Sequence, residues 1–255
     1  AQGGPGHLVQ CMVRRFESLG GTLLLNSGSA VLSRDTADGK NEHIVKTSYG
    51  DFRGRRAITS EGRWGLYPQN AVSSLSIGMF HLIIRENCIF PDGYHTLSYF
   101  PKNAPGWLGQ IERGELPDEF GFHVFAGELP PKNGGYPLNL YFMCPRGAED
   151  LPDSLLRRIK EYTFEKAEIL LPGFRDAVMY ERAVTPKQYE ELYGLSSTAV
   201  KLLPPAGFEK PDPYEIERDI YHIGNSVKPL GAHAAGAVLS GLNAAKMVEK
   251  DLARH

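Results

Sequence analysis

The segment from Asp219 to Gly241 constrains the fold of this chain most: Asp219-Ile-Tyr-His-Ile-Gly224-Asn225, then Lys228-Pro-Leu-Gly231-Ala-His-Ala-Ala-Gly236-Ala-Val-Leu-Ser-Gly241. A short apolar strand runs into a glycine, a loop and the start of a helix built of small residues. This order lets an α/β fold present backbone N–H groups to a bound group. The same small residues also suit a helix that packs closely on a sheet, so periodicity alone leaves both readings open.

Composition excludes several alternatives. The chain has 255 residues and 42% hydrophobic content, enough for one large domain or two small ones. Its 28 basic and 30 acidic residues are spread along the sequence and give a net charge of -2, so it has no electrostatic footprint for nucleic acid. Cys11, Cys88 and Cys144 are far apart and form no CxxC pair, which predicts buried thiols in a reducing, cytoplasmic compartment. Neither HExxH nor HxH occurs among the eight histidines, so no metal site is expected. No apolar run approaches the roughly 18 residues of a membrane span, and the longest, residues 77–84, contains His81 and stops at Arg85.

Leu8, Val9, Met12, Val13, Phe16 and Leu19 recur at helical spacing, and Gly20-Gly21 is a helix stop. Residues 22–25, 31–33, 42–47 and 55–60 read as strands, with a turn over 37–41. From about residue 76, apolar stretches at 77–84, 95–100, 122–125 and 138–143, separated by Pro and Gly clusters, predict an antiparallel sheet. A long helix is expected from Asp153 to the stop at Pro172-Gly173, then a strand at 177–181. Thr185-Pro186-Lys-Gln188 predicts a capping box opening a short helix that ends at Gly194. The fold class is therefore α/β, of mixed α+β character.

Three segments, in matching order, resemble the phytoene desaturase and carotenoid dehydrogenase-like branch of the FAD-dependent amine oxidase superfamily. Gly3-Gly-Pro-Gly-His-Leu-Val, followed by a helix and Leu19-Gly-Gly-Thr-Leu-Leu-Leu-Asn26, is similar to that family's GGxxxLxxxL…GGxxxLN segment. Val184-Thr-Pro-Lys-Gln-Tyr-Glu-Glu-Leu-Tyr-Gly194 is similar to its xTPxxFExxxG segment, and residues 220–241 to its closing LYLVGA…HPGxGxPGVxxSG segment. Ala235 stands where the family has a proline, His233 where it has a glycine, and Leu230 is an extra residue. The family's opening strand and GxGxxG turn have no counterpart here, and the chain begins Ala1-Gln2 without a methionine.

The resemblance implies the later portion of an FAD-binding Rossmann-like domain plus an antiparallel-sheet substrate domain with helices. Residues 1–75 and 215–255 would belong to the FAD-binding domain and 76–214 to the substrate domain. The cofactor implied is FAD, with Gly224 and Asn225 lying along it and Gly231, Ala232, Ala234, Ala235, Gly236 and Ala237 forming the loop and helix start beneath its ring. His233 beside the ring is a candidate proton donor, the alternative being a solvated side chain.

No catalytic residue is named. The partners implied are an upstream segment or separate chain carrying GxGxxG, and a hydrophobic polyene or isoprenoid-like substrate taken by a desaturase or saturase. Contact with a membrane surface through Trp107-Leu108 is a further expectation. An amine or amino-acid oxidase of the same superfamily, or a non-catalytic subunit that keeps the fold for assembly or binding, is the alternative. The middle region's aromatic residues are either a tunnel lining or plain core.

Overall fold

Strict alternation in residues 77–85 puts Phe80, Leu82 and Ile84 on one side of a strand, and this side becomes the core of the larger sheet. The computed structural model describes residues 4–28, 30–36, 42–127, 134–193, 198, 201–231 and 234–253. The chain divides into two compact units, one of Ala1–Gly20 and Ser74–Lys201, the other of Gly21–Ser73 and Leu202–His255.

The first unit contains α1 (Gly4–Ser18), β5 (Ile77–Arg85), β6 (Thr96–Tyr99), α2 (Ala104–Glu112), β7 (Phe122–Ala126), β8 (Gly135–Met143), α3 (Asp153–Leu170), α4 (Phe174–Ala177), β9 (Val178–Val184) and α5 (Pro186–Tyr193). Its five strands lie in the order β6-β7-β8-β5-β9, and every neighbouring pair is antiparallel. Register sets Phe80 opposite Leu140, Leu82 opposite Leu138 and Phe122 opposite Phe142, so the buried face is continuous across three strands. Ile159, Phe164 and Ala167 of α3 complete this core. At Gly78 a Cβ would meet the Phe142 ring at 2.5 Å, so the strand admits only glycine where that ring lies.

The capping box at α5 is present in full. Thr185 N donates to Gln188 Oε1 at 3.1 Å, and Gln188 N donates to Thr185 Oγ1 at 3.2 Å. Other expectations need correction. Trp107 lies on α2 rather than in an exposed loop, and with 4% exposure it cannot act as a membrane anchor. Asn103 opens that helix by accepting from Gly106 N. Phe80, Phe120, Phe122 and Phe142 are buried in the core, whereas Phe100 and Tyr94 are exposed. Among the described residues no helix is long and apolar enough to cross a membrane.

The second unit holds two three-stranded sheets. One is the antiparallel meander β1 (Val31–Asp35), β2 (Glu42–Thr47) and β3 (Gly50–Gly54). The other has the order β10 (Tyr214–Glu215), β11 (Ile220–His222), β4 (Ala57–Thr59), with β11 parallel to β4. α6 (Ala234–Leu252) follows β11. Residues 22–25 form no strand. Leu23, Leu24 and Leu25 are consecutive and exposed, so they lack the alternation that a half-buried strand needs. Conversely β3, with the polar sequence Gly-Asp-Phe-Arg-Gly, forms because the β2 register supplies its ladder. The turn expected over 37–41 and the helix stop expected at Gly194 lie outside the described residues.

Phe80→Ala removes a side chain that is 2% exposed and packed on Phe142 and Phe164. The loss expected is about 3–5 kcal/mol, measured as a shift in the urea unfolding midpoint of the full chain.

Candidate functional site

The site grows from the turn between β10 and β11. Asp219 has φ +55, a left-handed conformation that Asp tolerates better than most residues. Its carboxylate accepts from the Tyr214 hydroxyl at 2.7 Å, lies 3.1 Å from the Arg34 guanidinium and 4.0 Å from His43 Nε2. The meander and the β10-β11-β4 sheet are therefore joined through one buried acid. Burial alone would raise the Asp219 pKa, but the Tyr214 hydrogen bond and the charges of Arg34, Arg56 and His43 hold it below the ordinary value. His43, 2% exposed, shifts downward because burial outweighs the attraction of Asp219.

β11 is fully buried, and its residues reach three neighbours. Tyr221 donates from its hydroxyl to the Asp251 carboxylate on α6, fastening the far end of that helix. His222 places Nε2 2.6 Å from Glu215 Oε2 and Nδ1 2.9 Å from the Glu61 carbonyl oxygen, so both ring nitrogens face acceptors. His222 N donates to the Pro213 carbonyl at 2.7 Å. The strand is thus held firmly up to Ile223, where the chain turns.

Gly224 makes that turn at φ +104, and nothing lies within 4 Å of where a Cβ would stand. Its N–H donates to Ser240 Oγ on α6 at 2.7 Å, and Ser240 in turn donates to the Ala237 carbonyl. The loop from Gly224 to Gly231 folds against the segment around residues 208–213. Lys228 N donates to the Pro211 carbonyl at 3.0 Å, and the Lys210 ammonium donates to the carbonyls of Asn225 at 2.7 Å and Gly231 at 2.6 Å. Gly231, at φ +116, brings its carbonyl so near α6 that a Cβ on Gly236 would stand 3.2 Å from that oxygen. The same Cβ would be 3.8 Å from Asn225 Oδ1, a buried acceptor without a hydrogen-bond partner among the described residues.

Asn225, Gly231 and Gly236 therefore meet at the first turn of α6, and Gly224 is bonded to Ser240 one turn further along. Ala234 and Ala235 begin the helix and are exposed, and Ala237 is half-buried. Ala232 and His233 lie outside the described residues. The buried positions of α6 are Gly236, Ser240 and Ala244, four residues apart, and that stripe accounts for small residues by packing. Packing does not account for Ala234 and Ala235.

The sequence reading omitted Lys210, Ser240 and the Asp219 network. Their partners lie far off in sequence, and a lone lysine within Lys-Pro-Asp-Pro carries no mark of burial. Among the described residues no group of His, Cys, Asp or Glu is arranged to hold a metal ion.

Two outcomes follow from the network around Asp219. Asp219→Asn keeps the left-handed backbone and is expected to cost about 1.5–3 kcal/mol for the lost charged hydrogen bonds. Asp219→Ala is expected to add about 1–2 kcal/mol of backbone strain, both read from urea unfolding. Because the folded His43 pKa is lowered, the unfolded chain binds a proton below pH 6.5 that the folded chain does not. Stability contributed at this position is present above that pH and falls as the pH drops towards the lowered value. His43→Gln should flatten the dependence between pH 7.5 and 5.5.

No family model matches the sequence, and no curated protein matches it. Among solved structures the chain is similar to the crystal structure of tetracycline destructase Tet(51), at 10% identity and a TM-score of 0.29. The similarity covers 78% of this chain and 45% of that one, so the chain spans less than half the length of that structure.

Proposed function

We propose that the second unit holds the ring end of FAD, and that the chain is the later portion of a flavin-dependent oxidoreductase of the desaturase or saturase type. The observation that carries this reading is the first turn of α6. Its first residues, Ala234 and Ala235, are exposed and play no part in packing, while a buried unpaired acceptor, Asn225 Oδ1, lies over the same turn. A buried acceptor without a donor is costly, and the isoalloxazine ring carries a donor of the required kind at N3. The open space at Gly224 suits a close-lying flat ring. These features fit the ring end of the cofactor.

Gly224, Asn225 and Gly231, with Ala232, Ala234, Ala235, Gly236 and Ala237, are the residues proposed to hold the ring. The amide groups at the start of α6 and the positive end of its dipole favour the negative charge that reduction places on the ring, by about 0.3–1 kcal/mol at an exposed terminus. When bound, a flavin supplies two-electron acceptance from a substrate C–H bond. The chain's own part is to orient that ring and exclude water around it.

The polyene or isoprenoid-like substrate rests on the resemblance of the three segments alone. A portion carrying GxGxxG, upstream or on another chain, is proposed to complete the site. β4 is the terminal strand of its sheet, so its outer edge has no strand partner among the described residues and is available for another parallel strand. Exposed Leu8, Val9, Met12 and Phe16 on α1 form an apolar surface suited to a partner or a membrane. A non-catalytic subunit that keeps the fold for assembly or binding is the competing reading.

The full chain purified with the GxGxxG-bearing portion is expected to be yellow, with visible flavin absorbance that is bleached by dithionite. Colourless protein, both alone and with that portion, would sink the proposal.

A further inference from the structure

Lys210 is a charged group buried at the site. It is 6% exposed, and among the described residues no carboxylate lies within ion-pair distance of it. A buried ammonium without a counter-ion is costly unless its protons are all bonded, so its placement needs a compensating role. Two of its protons go to carbonyl oxygens at the two ends of one loop, Asn225 at 2.7 Å and Gly231 at 2.6 Å. Nearby Lys228, by contrast, is half-exposed and paired with Asp212 at 3.0 Å. The chain thus buries the lysine that touches the loop and leaves its neighbour in solvent.

The geometry points to Lys210 as a positioning residue that clamps the loop between Gly224 and α6 and adds a full positive charge to the anion-favouring end of that helix. This rests on the flavin reading given above. Asn225 and Gly231 both turn their carbonyl oxygens towards the ammonium, which leaves Asn225 Oδ1 over Gly236 and fixes the approach of the chain to Ala234. Without the clamp, the two carbonyls lose their shared donor and the loop its tie across six peptide links. A nearby cation also favours a reduced, negatively charged ring over an oxidised neutral one, so Lys210 raises the midpoint potential of whatever flavin the loop holds. Burial lowers the Lys210 pKa, so its charge is lost before that of an exposed lysine as the pH rises.

Three variants of the full chain separate the clamp from the charge. Lys210→Met removes both, Lys210→Gln keeps a donor without charge, and Lys210→Arg keeps both. Amide hydrogen exchange of residues 224–231, measured on the chain without cofactor, is expected to accelerate at least tenfold in Lys210→Met and less in Lys210→Arg. With the GxGxxG-bearing portion and FAD added, Lys210→Met and Lys210→Gln should shift the oxidised-to-reduced equilibrium about tenfold towards oxidised, ~30 mV for a two-electron couple. Lys210→Arg should restore it. If Lys210→Met does not fold, the comparison of Gln with Arg decides the charge effect.

Exchange and potential both unchanged in the Met or Gln variants would overturn the inference. If wild-type protein takes up no flavin, the flavin reading fails by itself, and the exchange experiment still decides whether Lys210 holds the loop.

Discussion

The second unit depends on one buried carboxylate. Asp219 sits where the chain turns into β11, and it binds Tyr214 on β10, Arg34 on β1 and, more distantly, His43 on β2. An acid in that position stays charged only because these donors outweigh its burial. Two strands distant in sequence, β1 and β2, and the neighbouring β10 are thereby fixed to the start of β11. β11 is only three residues long, too short for its own ladder to hold it in place, so its direction is set by the groups at its two ends. Asp219 and Tyr214 hold the near end, and Tyr221 with Asp251 ties the strand to α6.

From that fixed strand the geometry of the loop follows. Gly224 turns the chain, its amide bonded to Ser240, and Gly231 brings it back to the helix. Glycine is required at both because φ values of +104 and +116 strain any residue with a Cβ. The stripe Gly236, Ser240, Ala244 settles α6 by close packing, while Ala234 and Ala235 stay at the surface. Small residues serve two ends in one helix. Some permit packing, and others keep the N-terminal turn open.

Much of this was legible in the sequence. The alternation of residues 77–84 announced the interior strand β5 and its buried face, and Thr185 with Gln188 announced a capping box through chemistry confined to four residues. Gly224 and Gly231 stood out through the resemblance of residues 220–241 to a flavoprotein segment, since the strand-glycine-loop-helix order by itself suits close helix packing equally well. What failed was whatever long-range contacts decide. Leu23, Leu24 and Leu25 are apolar enough for a strand, but no ladder forms there, whereas the polar β3 exists because β2 supplies its partners. Trp107 in a Pro- and Gly-rich stretch suggested an exposed anchor, yet Asn103 caps a helix that carries the ring inward. Lys210 and Asp219 look like any surface charges in sequence, since their partners are supplied only by the folded chain.

The loop from Gly224 to Gly231 and the first turn of α6 are proposed to lie against a flavin ring. Hydrogen-exchange footprinting of the full chain, assembled with the GxGxxG-bearing portion, tests this directly when FAD is added to cofactor-free protein. Slowed exchange is expected at residues 224–237, with the buried strands β5 and β8 unchanged. FAD binding that leaves 224–237 unprotected while slowing exchange elsewhere in the chain would contradict it.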